Sequence, residues 1–380
     1  MKKTENTPIA TRQVFFITTS LLVIIGHFFL IKLFLEWSGR DAWLGMTIGF
    51  LLGFIIFLAM AKLNEKLYGY TIVEHFFSWC GPWFGRLLTI PIILYYFILS
   101  LITLYGLSIF INSVFLRDHP LWLISIVFSV SVFYMVHQGI EVIARVAEWI
   151  IIINILSGLS ISFLLRDKKD YSQLLPILEN GFNPIIPVII FTIAVFGEML
   201  VLLMLNVRKE SEKSISYIKV YIILFIANLI IFPSTASGPV AIFGEEQAKQ
   251  LTYPVESMVR LISFGFIERF DIYGLSIMSV SAFLRIALLH YGTSLAISQW
   301  FNLKDYRYVN WLLGGLLFYA SIRTFDHIVD FYNFLRDYYF YGIISVIFIL
   351  LLSVAVMIFP KLTSSQDING EFINSSEVKK

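Results

Sequence analysis

Long apolar runs separated by short polar segments dominate the chain from residue 14 onward. A run of about 20 apolar residues is long enough to cross a bilayer as a helix. The pattern therefore predicts an all-α polytopic membrane protein with ten transmembrane helices, numbered here as spans 1 to 10. Their predicted bounds are Val14–Leu35, Trp43–Leu63, Leu87–Phe115, Pro120–Val136, Ile143–Leu165, Ile185–Asn206, Tyr217–Pro233, Ile272–Leu289, Val309–Ile322 and Tyr339–Phe359.

The basic residues between the spans predict the orientation of the chain. With the N-terminus inside, sixteen of the 28 Lys and Arg residues fall in inside segments and ten in outside segments. Because cytoplasmic loops carry the excess of Lys and Arg, both termini are predicted to be cytoplasmic. The apolar run after the basic stretch 1–13 is too long for a signal peptide, so we expect it to remain as span 1. Residues 360–380 are polar and predict a disordered cytoplasmic tail.

The ten spans divide into two units of five. Spans 1 to 5 cover 14–165, an external loop covers 166–184, and spans 6 to 10 cover 185–359. A unit with an odd number of spans ends on the side opposite to its start, so a second copy begins inverted. Since inverted repeats with two broken helices are a common plan of secondary transporters, the prediction is a 5+5 inverted repeat with spans 1 and 6 broken. A helically spaced amphipathic stretch at 253–271 predicts a helix on the outer surface.

One carboxylate, Glu198, stands in the middle of span 6, in the run FTIAVFGEMLVLLML. A charge at the bilayer centre costs about 3 kcal/mol on insertion scales, so it normally faces the protein interior. Gly197 weakens the helix beside it. Two roles stay open: Glu198 binds a polar ligand or a proton in a central site, or it pairs with a basic residue and holds two helices together. Arg285 of span 8 is the candidate partner, and its alternative is to snorkel to the inner surface.

Other polar or small residues within the spans extend the candidate site. Gly26 in span 1 can expose backbone to a ligand, and His27 is either a titrating contact or a side chain with one hydrogen bond to a neighbour. Tyr96 in span 3 needs a hydroxyl partner, which suits a polar pocket or ordinary packing. Ser279 in span 8 either lines a site or holds two helices together.

Three glycines of span 2, Gly45, Gly49 and Gly53, form two consecutive GxxxG steps. Small residues at this spacing let two helix backbones approach closely. The glycines therefore predict a helix-packing face without a role in nucleotide binding.

The composition limits the classes of function. Hydrophobic residues make up 58% of the chain and charged residues 14%, against about 25% charged in soluble domains. The net charge of +2 gives no basis for nucleic-acid binding. The single cysteine, Cys80, excludes an internal disulfide and a cysteine-based metal site. No enzyme motif, metal-ligand cluster or cofactor motif is present, so we expect neither catalysis nor a cofactor.

Several motifs resemble those of the spore germination permease family, the B subunits of GerA-type nutrient germinant receptors. This family belongs to the amino acid–polyamine–organocation transporter superfamily. The string YPVESMVRLISFGFIERFD is the most specific of the matching pieces. The others are RQ at 12–13, SGRDAW at 38–43, GIEVIARVAE at 139–148, GFNPII at 181–186 and FGE at 196–198.

The resemblance implies a ten-helix fold of the leucine-transporter type in the inner membrane of bacterial endospores. The implied partners are a larger A subunit, a lipoprotein C subunit and the lipid bilayer, and the B subunit is the one that recognises the nutrient. Carried over residue by residue, the pocket includes Gly26, Tyr96, Gly197, Glu198 and the Leu284–Arg285 region. Together with the residues selected from the pattern, the candidate ligand-binding set is Gly26, His27, Tyr96, Phe196, Gly197, Glu198, Ser279, Leu284 and Arg285.

The predicted function is thus a germinant-sensing membrane subunit that binds an amino acid, a nucleoside or a sugar in a mid-membrane pocket. The alternative is a permease that moves an amino acid coupled to H⁺ or Na⁺, with Glu198 as the proton-coupling site. A pore that conducts ions is a third possibility, against which the few aligned charges argue weakly.

Overall fold

A computed structural model describes residues 8–28, 30–67, 70–207, 215–262 and 271–337. The α-helices of these residues are α1 (Thr11–Phe28), α2 (Leu30–Ser38), α3 (Ala42–Lys66), α4 (Ile72–Val114), α5 (Leu121–Gln138), α6 (Ile140–Leu164), α7 (Ile186–Phe196), α8 (Ile215–Phe243), α9 (Glu245–Gln250), α10 (Pro254–Val259), α11 (Asp271–Trp300) and α12 (Arg307–Arg323). A further helical stretch covers 328–337. Short 3₁₀-helices occur at Gly39–Asp41, Arg166–Lys168, Tyr171–Leu174 and Asn183–Ile185, and a longer one at Gly197–Met204. No β-strand occurs in the described ranges, so the predicted all-α class is confirmed.

Seven segments of the described residues are long and apolar enough to cross a membrane. They are Leu30–Asn64, Cys80–Val114, Leu121–Gln138, Ile140–Leu164, Asn183–Met204, Phe225–Phe243 and Ser279–Trp300. The prediction of a polytopic membrane protein is thereby confirmed. Span 9 corresponds to α12, span 10 at 339–359 lies outside the described residues, and the total of ten stays a prediction.

Two helices run farther than the apolar pattern predicts. Helix α4 begins at Ile72, where Thr71 and Glu74 form a capping box, and it kinks at Gly81, whose φ is +76°. Helix α8 continues past the predicted end at Pro233 to Phe243. Proline is tolerated within membrane helices because neighbouring groups satisfy the carbonyl that it leaves free.

The predicted surface helix at 253–271 is short where the structure describes it. Helix α10 covers only Pro254–Val259, and residues 263–270 lie outside the described ranges. The side chains of Val255, Glu256 and Met258 are buried against the bundle. This segment therefore packs on α8 and α11 rather than presenting one apolar face to a membrane surface.

Helices α3 and α7 pack closely through the three glycines of the GxxxG steps, as the sequence predicts. A Cβ atom at Gly49 would lie 2.6 Å from the Cβ of Thr192, closer than real Cβ atoms approach. The spacing of four residues repeats on α7. The glycines at 45, 49 and 53 meet Val188, Thr192 and Phe196 in that order.

Burial differs strongly between the helices. Within an apolar window of 18 residues in each span, 83% of the residues are buried in Ser279–Trp300 and 78% in Asn183–Met204, against 33% in Ile140–Leu164. Helix α11 is therefore the centre of the bundle, packed mainly on α4, while α6 turns much of its surface outward. Large apolar side chains on that outer surface, such as Trp149 and Phe163, suit a hydrocarbon environment.

Candidate functional site

The segment that carries Glu198 changes its helical geometry at that point. Helix α7 ends at Phe196, a 3₁₀-helix runs over Gly197–Met204, and Leu205 is extended, with φ −97° and ψ 134°. A 3₁₀-helix has three residues per turn, so residues i and i+3 are eclipsed. We call this eight-residue stretch the 3₁₀ segment; its side chains form three columns along its axis.

Glu198 and Arg285 form a buried ion pair. The Nη2 of Arg285 donates to the Oε1 of Glu198 over 2.8 Å, and each residue is 3% exposed. The hypothesised pair is therefore present, and Arg285 does not snorkel. The second carboxylate oxygen, Oε2, and the Nε of Arg285 make no hydrogen bond within the described structure. The pair thus keeps one free acceptor and one free cationic donor in a buried place.

Tyr96 of α4 contacts α11 at Gly292, where α11 also meets Val201 of the 3₁₀ segment. A Cβ on Gly292 of α11 would lie 3.2 Å from the Cγ2 of Val201 and 3.3 Å from the Cδ2 of Tyr96. Val201 is eclipsed with Glu198, and Gly292 follows Arg285 by about two turns of α11. The Tyr96 side chain is fully buried, and its hydroxyl has no hydrogen-bond partner among the described residues. One column of the 3₁₀ segment therefore faces α11 and α4 with unsatisfied polar groups along it.

Met199 of the 3₁₀ segment and Phe196, the last residue of α7, face away from Arg285. These two side chains line a cavity of about 20 Å³ between α1, α3 and α8. Its other lining residues are Phe15, Thr18, Thr19, Phe50, Phe54, Phe57, Phe225 and Asn228. A cavity of this size holds about one water molecule. In this conformation it has no room for a nutrient.

Asn64 of α3 holds the far end of the 3₁₀ segment. Its Nδ2 donates to the carbonyl of Leu202 over 2.6 Å and to the carbonyl of Leu205 over 3.1 Å. One residue farther, the N–H of Ile9 donates to the carbonyl of Asn206 over 3.0 Å. The carbonyls released where the helix ends are thus satisfied by another helix and by the segment before α1.

An ion-pair network lies at the end of the bundle opposite to Asn64. It joins the SGRDAW motif at 38–43 to α9. Arg40 Nε donates to Glu245 Oε2 over 2.6 Å, and Arg40 Nη1 donates to the carbonyl of Leu175 over 2.6 Å. Lys249 lies 2.6 Å from the other carboxylate oxygen of Glu245. Burial raises the pKa of Glu245, but the hydrogen bonds from Lys249 and Arg40 more than offset this and hold that pKa below its ordinary value.

The remaining predicted site residues are distributed along the same helices. Gly26 and His27 belong to α1, but their side chains lie outside the described residues. Leu284 is buried on α11, and Ser279 is half-buried about a turn and a half before Arg285. Gly197 is buried at the start of the 3₁₀ segment. The structure thus brings Glu198 and Arg285 together and directs Phe196 to another face.

Two residues that matter for this geometry, Asn64 and Gly292, are missed by reasoning from the sequence. A glycine within an apolar run is a signal of close packing, and Gly292 carries that signal in the stretch HYGTS. Asn64 stands beside charged residues near a helix end, where an amide gives no sign of a distant partner.

Comparison with known proteins identifies the family of the chain. The spore permease family, described as spore germination protein, matches residues 8–329. Spore germination protein XB of Bacillus anthracis is 31% identical over 271 residues, which are 70% of this chain and 74% of that protein. Spore germination protein KB of Bacillus subtilis (strain 168) is 23% identical over 273 residues, 70% of this chain and 73% of that protein. Spore germination protein A2 of Bacillus subtilis (strain 168) is 23% identical over 326 residues, covering 83% and 87%. The chain therefore belongs to the family of spore germination proteins.

Proposed function

We propose that this protein is the nutrient-sensing membrane subunit of a spore germination receptor and that its ligand site is centred on Glu198 and Arg285. The observation that carries the proposal is the buried pair itself. Among the described residues, Oε2 of Glu198 and Nε of Arg285 have no hydrogen-bond partner, and an ion pair in the membrane interior with two such atoms is a costly arrangement for structure alone. It offers one acceptor and one cationic donor to a polar ligand.

The pair also sets the resting packing of the bundle. Since both members of the pair are buried, at 3% exposure each, we infer that the nutrient reaches them in a different packing of the 3₁₀ segment against α11. A ligand shifts such an equilibrium only by its differential affinity for the two packings. A nutrient that supplies partners to Glu198 and Arg285 would stabilise the packing in which the pair is opened. Amino acids, nucleosides and sugars all carry polar groups that can act as partners for Glu198 and Arg285.

The finer architecture is part of the same proposal. We infer ten spans in a 5+5 inverted repeat whose first spans are broken. The change from α-helix to 3₁₀-helix at Gly197 supports a break in span 6, and the break in span 1 rests on the repeat alone. The proposed setting is the inner membrane of the endospore with both termini on the core side. An A subunit and a lipoprotein C subunit would receive the change in packing.

The test is Glu198→Gln in a spore-forming host. The matched control is Glu74→Gln, because Glu74 is also a buried carboxylate, and glutamine can still accept the N–H of Thr71 in the capping box. With both proteins at normal levels in spores, loss of refractility is scored against amino acids, nucleosides and sugars. We expect Glu198→Gln to lose the response to one nutrient class while Glu74→Gln keeps it. A full response to every class in Glu198→Gln spores would contradict the proposal.

A coupled permease is the second candidate, and the free Oε2 of Glu198 is the observation that favours it. A buried carboxylate with an open lone pair is a place for a transported proton. Sustained uptake of an amino acid by vesicles that contain this protein alone, abolished by Glu198→Gln, would establish this function.

A further inference from the structure

The 3₁₀ segment is longer than such helices usually are. Runs beyond three or four residues are uncommon because the hydrogen-bond geometry is poorer than in an α-helix. This one covers eight residues, Gly197–Met204. Something outside the segment must therefore keep it from rewinding into α-helix.

Asn64 is placed to do this. In an α-helix the carbonyl of Leu202 would accept from the N–H of residue 206, but here it accepts from the N–H of Leu205 over 3.0 Å. The amide of Asn64 adds a second donor to that carbonyl and supplies a donor to Leu205. Leu202 and Leu205 are buried, and a buried carbonyl without a donor costs about 1–3 kcal/mol, so these two bonds favour the 3₁₀ geometry over its competitors.

Rewinding would turn Glu198 away from its partner. A 3₁₀-helix advances 120° per residue and an α-helix 100°, so each residue contributes about 20° of relative rotation. Six steps separate Met204 from Glu198, which gives about 120° of rotation and about 3 Å of axial shift at Glu198 if the Asn64 end stays fixed. These changes would remove Glu198 from Arg285. Val201 lies three steps from Met204, so it would turn by about 60° and shift by about 1.5 Å, which moves it off Gly292.

We propose that Asn64 is a positioning residue for the Glu198 site: its two hydrogen bonds set the rotation of the 3₁₀ segment and thereby aim Glu198 at Arg285. The importance of this aim for sensing rests on the proposed function, whereas the rotation itself is a property of the fold. Asn64 acts from the end of the segment and touches neither Glu198 nor Arg285 in the bonds described.

Disulfide formation measures the rotation without any nutrient. In a Cys80→Ser background, Val201→Cys and Gly292→Cys place two thiols close enough to bridge, because a Cβ on Gly292 would lie 3.2 Å from a γ carbon of Val201. The control pair is Gly158→Cys with Ile231→Cys, where the corresponding distance is 3.8 Å between α6 and α8. Mild oxidation followed by maleimide–polyethylene glycol labelling gives the bridged fraction of each pair.

Asn64→Asp keeps the shape of the side chain and removes the donor, and Asn64→Leu removes it without adding a charge. We expect either variant to lower the bridged fraction of the 201/292 pair at least threefold and to leave the 158/231 pair unchanged. An unchanged 201/292 fraction in both variants overturns the proposal. Equal loss of both pairs, or failure of both variants to accumulate, also overturns it, because Asn64 would then be a general folding residue. Since no nutrient is added, these outcomes are independent of the germination test.

Discussion

Removing either member of the Glu198–Arg285 pair should destabilise the protein far more than removing both. Each residue is 3% exposed, and the two are joined over 2.8 Å. A single Arg285→Met or Glu198→Leu change leaves one buried charge without its partner, which costs about 3–5 kcal/mol. Replacing both by apolar residues of similar volume is often neutral, so the double variant should be at least about 3 kcal/mol more stable than the less stable single variant.

The assay is equilibrium unfolding of the purified protein in detergent, followed by tryptophan fluorescence, for the four members of the cycle. An exposed pair serves as the control: Arg145 and Glu141 are joined one turn apart with side chains 69% and 47% exposed. Arg145→Met should change stability by less than about 1 kcal/mol. If the cost of the double variant equals the sum of the two single costs, the carboxylate and the guanidinium do not interact energetically, and the argument for a locked resting packing fails.

Three further predictions concern other parts of the bundle. Gly49→Ala should cost about 1–3 kcal/mol of unfolding free energy because its Cβ would overlap α7. The control Gly315→Ala, whose Cβ meets nothing within 4 Å, should be neutral or slightly stabilising. A Gly49→Ala protein as stable as the parent would contradict the close packing. The pKa of Glu245 lies below its ordinary 4.5, so the carboxylate contributes its full stability to the fold above pH 4.5 and loses it as pH falls through the folded-state pKa. Between pH 7 and pH 3 the thermal midpoint of Glu245→Gln should therefore fall less than that of the parent protein. Asn310→Leu should cost about 1–3 kcal/mol, since it removes the Nδ2 donor to the carbonyl of Phe133, 2.9 Å away, and the side-chain oxygen 3.0 Å from His290 Nε2, at about 0.5–1.5 kcal/mol for each hydrogen bond. The backbone carbonyl of residue 310 stays 3.2 Å from His290 Nε2, and an unchanged thermal midpoint would refute the prediction.

The sequence predicts the parts of this fold that depend on repeated local patterns. Apolar runs give the helices, and the period of four in the glycines of α3 gives the face that packs on α7. Glu198 stands out because a lone carboxylate in an apolar run normally faces the protein interior. Arg285 follows as its partner because few other basic residues lie within the spans.

Other features depend on partners distant in sequence and carry no local signal. Nothing in the stretch GEMLVLLM distinguishes a 3₁₀-helix from an α-helix, since the choice depends on an amide donor 138 residues away. Helix α8 passes through Pro233 for the same kind of reason, because neighbouring groups decide whether a proline ends a helix. Helix α10 covers only Pro254–Val259 of the stretch that the amphipathic pattern predicts as helix, and it packs on α8 and α11, contacts that the local pattern does not encode.

The two ends of the 3₁₀ segment are energetically linked through its geometry. Its poorer hydrogen bonds are sustained by burial on every side, by Asn64 at one end and by the ion pair at the other. Any event that opens the pair removes part of what opposes rewinding, and any event that releases Asn64 turns Glu198 away from Arg285. The relation is reciprocal, because both ends bias the same two packings. A ligand bound at Glu198 would therefore change the free energy of the contacts at Asn64 and Ile9. Those contacts would change the binding free energy of the ligand by the same amount.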